Sequence, residues 1–147
     1  GRIAGPCPNI DLDETARLVR FLGECAGEKI LSSANDVSEG GLACALAESG
    51  FGTPSLGVTV DIPDPSELRP DFLLFGESQN VLVLTCAPDR ESAVMAAAKA
   101  AGIDLFSVGT VQRDRVTVRV NGKTILDGTV SELRGVWDTS IEEALGH

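Results

Sequence analysis

Two short acidic, glycine-containing stretches stand out. Asp36, Val37, Ser38, Glu39, Gly40 and Gly41 lead into a helical pattern, and Phe75, Gly76, Glu77, Ser78, Gln79 and Asn80 precede an apolar run. The first stretch supports two chemistries. Asp36 with Glu39 three residues on has the spacing of a capping box, in which both side chains take backbone N–H groups that a helix start leaves free. The glycine pair then lets the helix approach a neighbour closely. Alternatively, bare glycine amides at a helix N-terminus can hold a phosphate. Two adjacent carboxylates repel a naked phosphate, so such a ligand would bring magnesium or a hydroxyl-bearing group to face Asp36. The second stretch sets polar side chains at the mouth of a strand, a position that meets ligands about as often as it simply turns the chain.

The other reactive residues point away from several chemistries. The one histidine is His147, the last residue, which leaves histidine no part in catalysis within the chain. Cys7, Cys25, Cys44 and Cys86 are widely spaced with no Cys-x-x-Cys pair, unlike disulfide scaffolds and zinc sites. Cys25, Cys44 and Cys86 have apolar neighbours and read as reduced, buried small hydrophobes of a cytoplasmic protein. No phosphate-binding Gly-x-x-x-x-Gly-Lys loop and no Gly-x-Ser-x-Gly elbow occurs. Twelve Lys and Arg stand against 22 Asp and Glu, a net charge of −10, which argues against nucleic acid, because phosphate neutralisation needs cations. Arg113, Arg115 and Arg119 are interrupted by Asp114 and form no basic patch. The carboxylates outside the two stretches read as solvated helix faces, and Trp137 reads as core or interface. No apolar run approaches the ~20 residues of a membrane helix, so no membrane partner is expected.

With 147 residues, 43% apolar and 23% charged, the chain is long enough to close a core, and residues 1–147 are expected to form a single domain. It opens Gly1, Arg2, Ile3 without a methionine or signal pattern, which predicts a piece of something longer. Prolines 6 and 8 predict an extended entry. Apolar residues then recur at helical spacing from Asp11, with Asp11, Asp13 and Glu14 at the favourable end of the helix dipole and Gly27 at its stop. A second helix is expected from Leu42 to Ser49, stopped by Gly50, Phe51 and Gly52. Residues 57–62 alternate with the period of a half-buried strand, 63–70 read as a proline-rich loop, and 81–86 read as a strand covered on both faces. Residues 88–101 predict a helix capped by Gly102. Strands are expected at 106–111, 116–120 and 123–126, with Asn121 and Gly122 as a tight hairpin turn. A last helix is expected over 131–145. This irregular interleaving predicts an α+β class, with helices packed on a mixed or antiparallel sheet.

Residues 33–48, S-A-N-D-V-S-E-G-G-L-A-C-A-L-A-E, resemble a hallmark of phosphoribosylformylglycinamidine synthase, which usually reads S-A-H-D-V-S-D-G-G-L-A-V-A-L-A-E. Further along, L-F-G-E-S-Q at 74–79 matches the family's L-F-[GS]-E-S-Q. The likeness extends over the chain and implies the carboxy-terminal domain of the synthetase subunit, with the fold of aminoimidazole ribonucleotide synthetase. The tail ends soon after Trp137, as the family's last domain does, a resemblance that implies the second of the family's two related halves. Selenophosphate synthetase, thiamine-monophosphate kinase and a hydrogenase-maturation factor are relatives with this domain, and the alternatives within the fold are aminoimidazole ribonucleotide synthetase, selenophosphate synthetase or a thiamine-monophosphate kinase type. A non-catalytic ligand-sensing or assembly module is the alternative outside it.

What the resemblance implies is an ATP-dependent ligase of purine biosynthesis that turns formylglycinamide ribonucleotide into its amidine with glutamine-derived ammonia. The implied partners are the amino-terminal ATP-binding domain of the same enzyme, a glutaminase domain or subunit, and the small ribonucleotide. ATP and Mg2+ belong to the full enzyme, with neither expected to be held by this domain alone, which is inactive by itself. No catalytic or metal-ligating residue is expected here. By resemblance, Asp36, Ser38, Gly40 and Gly41 line a cleft facing the partner domain, and Glu77, Ser78 and Gln79 match a motif that contacts the ribonucleotide. Asn35 stands where the family has histidine, and Val81 where many members have arginine. Losing that arginine removes a bidentate phosphate clamp, which implies a structural or auxiliary-nucleotide role for this half.

Overall fold

Asp11 opens the first helix by accepting the backbone N–H groups of Asp13 and Glu14 at 2.9 and 3.0 Å. That helix, α1 (Leu12–Gly27), is followed by β1 (Ser33–Asp36), α2 (Gly41–Phe51), β2 (Leu56–Ile62), α3 (Pro70–Phe75) and β3 (Leu82–Thr85). A single 3-10 turn (Pro88–Arg90) precedes α4 (Glu91–Ala101), β4 (Gly109–Arg113), β5 (Arg115–Val120), β6 (Lys123–Thr129) and α5 (Val130–Leu145). The computed structural model describes residues 10–51 and 56–146; the expected extended entry, Cys7, Gly52 and His147 lie outside them. The chain divides into two compact units, Gly1–Val37 with Ser78–Phe106, and Ser38–Glu77 with Ser107–His147.

In the first unit, Phe21, Cys25 and Ile30 from α1 and its exit pack with Val94 and Ala98 of α4, and Leu84 and Cys86 close the cluster. The i, i+4 spacing of Phe21 and Cys25 places both on one helix face. β1 and β3 pair antiparallel, with Asn35 opposite Val83 and Asp36 opposite Leu82. The Ser33 and Thr85 hydroxyls bond across the ribbon at 2.6 Å. Two expectations change here. Residues 33–36 form a strand, and Asp36 therefore does not cap the following helix. β3 is only half-buried along its length, where a strand covered on both faces was expected.

The second unit holds a four-stranded mixed sheet in the order β4-β2-β5-β6, with β2 and β5 parallel and the other pairs antiparallel. Val116 and Val118 are fully buried at its centre, with Leu46 of α2, Leu74 of α3 and Val130 of α5 also buried. The 121–122 hairpin forms as expected, with φ of 49° and 79° at Asn121 and Gly122. β4 runs later than expected, and β6 runs on to Thr129 past a bulge that accommodates Ile125. Asp64 departs from the solvated-carboxylate reading. It is buried, accepts N–H bonds from Ser66 and Leu68 at 3.0 and 2.7 Å, and exchanges a pair of bonds with Asn121. Trp137 is not core: it is 56% exposed, edge-on to Phe51, with its indole N–H donated to Glu48 at 2.9 Å.

Candidate functional site

The turn at 38–41 is built from two glycines with left-handed backbones, φ 79° at Gly40 and 72° at Gly41. At Gly41 the reason is both conformational and steric. A Cβ there would come within 2.7 Å of the Phe75 backbone, so only a hydrogen lets α2 start against the end of α3. α3 is anchored by Leu74, which is 1% exposed, and it ends with the Gly76 N–H donated to the Phe72 carbonyl. From that end Glu77 reaches the glycine turn, where its Oε1 accepts the Gly40 N–H at 3.1 Å. The Gly41 N–H donates to the Ser38 carbonyl at 3.2 Å. The two sequence stretches thus meet within the second unit through Ser38, Gly40, Gly41 and Glu77.

Asp36, Ser78 and Gln79 belong to the first unit, since the chain passes between units at 37/38 and 77/78. Asp36 is exposed at the end of β1, and Ser78 and Gln79 are exposed ahead of β3. Sequence reasoning missed Asn80 as an anchor. It adopts φ 61°, accepts the Thr15 hydroxyl at 3.0 Å and points its amide N–H toward Glu14 at 3.5 Å, fastening the loop to the start of α1. An asparagine in a turn, which tolerates a left-handed backbone, was the available signal.

The turn's own donors are already taken. The amides of both Gly40 and Gly41 are engaged by protein oxygens. Among the described residues, no three His, Cys, Asp or Glu side chains converge as metal ligands. Cys44 lies beside the turn, its thiol in close reach of Gly40, and burial followed by the nearby Glu48 charge pushes its pKa up. It is a packing residue and not an activated nucleophile.

A mixed four-stranded sheet packed by helices, with a glycine turn held by Glu77, defines a domain of the α+β class. The chain belongs to the family AIR synthase related protein, C-terminal domain, which it matches over residues 7–121. It is 36% identical to the phosphoribosylformylglycinamidine synthase subunit PurL of Moorella thermoacetica over 96% of its own length, and spans 19% of that relative. Its fold is similar to T. maritima PurL complexed with ATP, at a TM-score of 0.71 and 20% identity, covering 88% of this chain and 23% of that one. A PurLQS structure from Thermotoga maritima gives 0.68 at 20% identity, over 82% of this chain and 21% of that one. No helix among the described residues is long and apolar enough to cross a membrane.

Proposed function

We propose that this chain is the carboxy-terminal domain of an ATP-dependent ligase of purine biosynthesis, the phosphoribosylformylglycinamidine synthase, and works in the cytoplasm. The observation that carries the reading is the junction of the two family motifs, the Gly40 N–H held by Glu77, in a chain 36% identical to a PurL subunit. The activity belongs to the whole enzyme, of which this chain matches about a fifth. In this reading Asp36, Ser38, Gly40, Gly41, Glu77, Ser78 and Gln79 serve the ribonucleotide or a nucleotide. ATP and Mg2+ are seated chiefly by an amino-terminal ATP-binding domain, and ammonia comes from a glutaminase domain or subunit. ATP bound to the T. maritima PurL and the assembly of PurLQS support the cofactor and partner assignments by analogy. Val81, where many members carry arginine, favours an auxiliary role over a direct phosphate clamp.

The test is a graft. Replacing the matching fifth of the Moorella thermoacetica subunit with this chain is expected to preserve amidine formation from formylglycinamide ribonucleotide, ATP, Mg2+ and glutamine. The 147 residues alone are expected to give no turnover in the same assay. A folded graft without activity, or turnover by the chain alone, would overturn the assignment.

A further inference from the structure

Glu77 is the charged residue of the second motif; it is exposed, yet one of its carboxylate oxygens is held by the protein. Oε1 accepts the Gly40 N–H at 3.1 Å, while the backbones of Gly41 and Phe75 approach too closely for any Cβ at position 41. One contact is directional and the other steric, and both tie 38–41 to 75–77. The turn closes on itself through the Gly41 N–H and the Ser38 carbonyl. Next in the chain, Ser78 and Gln79 are exposed, and their side chains make no hydrogen bond among the described residues.

We propose that Glu77 is a positioning residue: it sets the Ser38–Gly41 turn by holding the Gly40 amide, and acts on a ligand only through that turn. The inference rests on the reading above that this turn serves ligand binding. What the latch needs is an sp2 oxygen at the right reach, and charge adds to it without being required. Glu77→Gln keeps that oxygen, Glu77→Asp falls short by one methylene, and Glu77→Ala removes it. A side chain that met a cation through its charge would instead fail as glutamine.

Amide hydrogen exchange on the 147-residue chain reads the latch directly. With Glu77→Ala and Glu77→Asp, the Gly40 amide is expected to exchange about fivefold faster or more, the loss of roughly one net hydrogen bond. With Glu77→Gln it should stay within about twofold of the parent, and the β5 amides, which report folding, should be unchanged in all three. Equal Gly40 exchange in the glutamine and alanine variants, or none faster than the parent, overturns the proposal. In the grafted ligase, Glu77→Gln is expected to recover most of the nucleotide or ribonucleotide KM that Glu77→Ala loses. If glutamine fails there while its Gly40 amide stays protected, Glu77 touches the ligand and the proposal falls. If exchange follows the expected pattern and no variant moves KM or kcat, the latch stands and the ligand-facing reading of the turn is overturned.

Discussion

Asp127 shows how a single surface carboxylate ties folding to pH. Arg115 grips it with two nitrogens at 2.8 and 2.6 Å, and the Thr117 hydroxyl adds a third bond at 3.0 Å. The Arg115 bond first, then Thr117, holds its pKa below the ordinary 3.8. A depressed folded-state pKa contributes stability that is present above 3.8 and is lost as pH falls through the folded value. Urea denaturation across the acid range should therefore find Asp127→Asn closest to the parent at the lowest pH, with the gap widening toward neutrality; a gap independent of pH would exclude this linkage. Glycines separate as sharply. Gly41→Ala should destabilise by about 1–3 kcal/mol, since φ is 72° and the Phe75 backbone blocks the new methyl. Gly135→Ala, in α5 with open space around its Cβ position, should stabilise by about 0.5–1 kcal/mol, both changes being read by urea denaturation at neutral pH. The glycine pair at 40–41 was legible in the sequence as special. Phe75 as the reason was not, because that neighbour lies far along the chain.

Helix starts show a local signal losing to a distant one. Asp36 with Glu39 and Thr129 with Glu132 have the same capping spacing, and only the second becomes a capping box. There Thr129 Oγ1 accepts the Glu132 N–H at 3.2 Å, and the Glu132 carboxylate accepts the Thr129 N–H at 2.8 Å. Asp36 is drawn into β1 because residues 82–85 offer it a strand to pair with, which a reading of Ser, Asn and Asp as turn formers cannot foresee. Thr129→Ala should cost about 1 kcal/mol by chemical denaturation; a loss below a few tenths would show that the cap does not hold α5. α1, α4, the 121–122 hairpin and β2 were readable from periodicity and turn chemistry, whereas the 70–75 helix was hidden behind three prolines. Leu74→Ala removes the buried side chain that seats this short helix and should cost about 2–5 kcal/mol in the same measurement.

The α+β class and both motifs were visible in the sequence, and the family match over residues 7–121 agrees with the resemblance they carried. The division of the predicted site was not visible. Residues 36–41 and residues 77–79 are each an unbroken stretch, yet long-range packing assigns Asp36, Ser78 and Gln79 to one unit and Ser38, Gly40, Gly41 and Glu77 to the other. The proposed function requires Ser38, Gly40, Gly41 and Glu77 to be joined. A nuclear Overhauser experiment on the 147-residue chain addresses this most directly, by asking whether the Gly40 amide proton and the Glu77 γ-methylene are neighbours. A cross-peak between them, lost in Glu77→Ala and kept in Glu77→Gln, is the expected result. A folded chain in which the Gly40 amide shows no contact with Glu77 and exchanges like a free peptide would contradict the account.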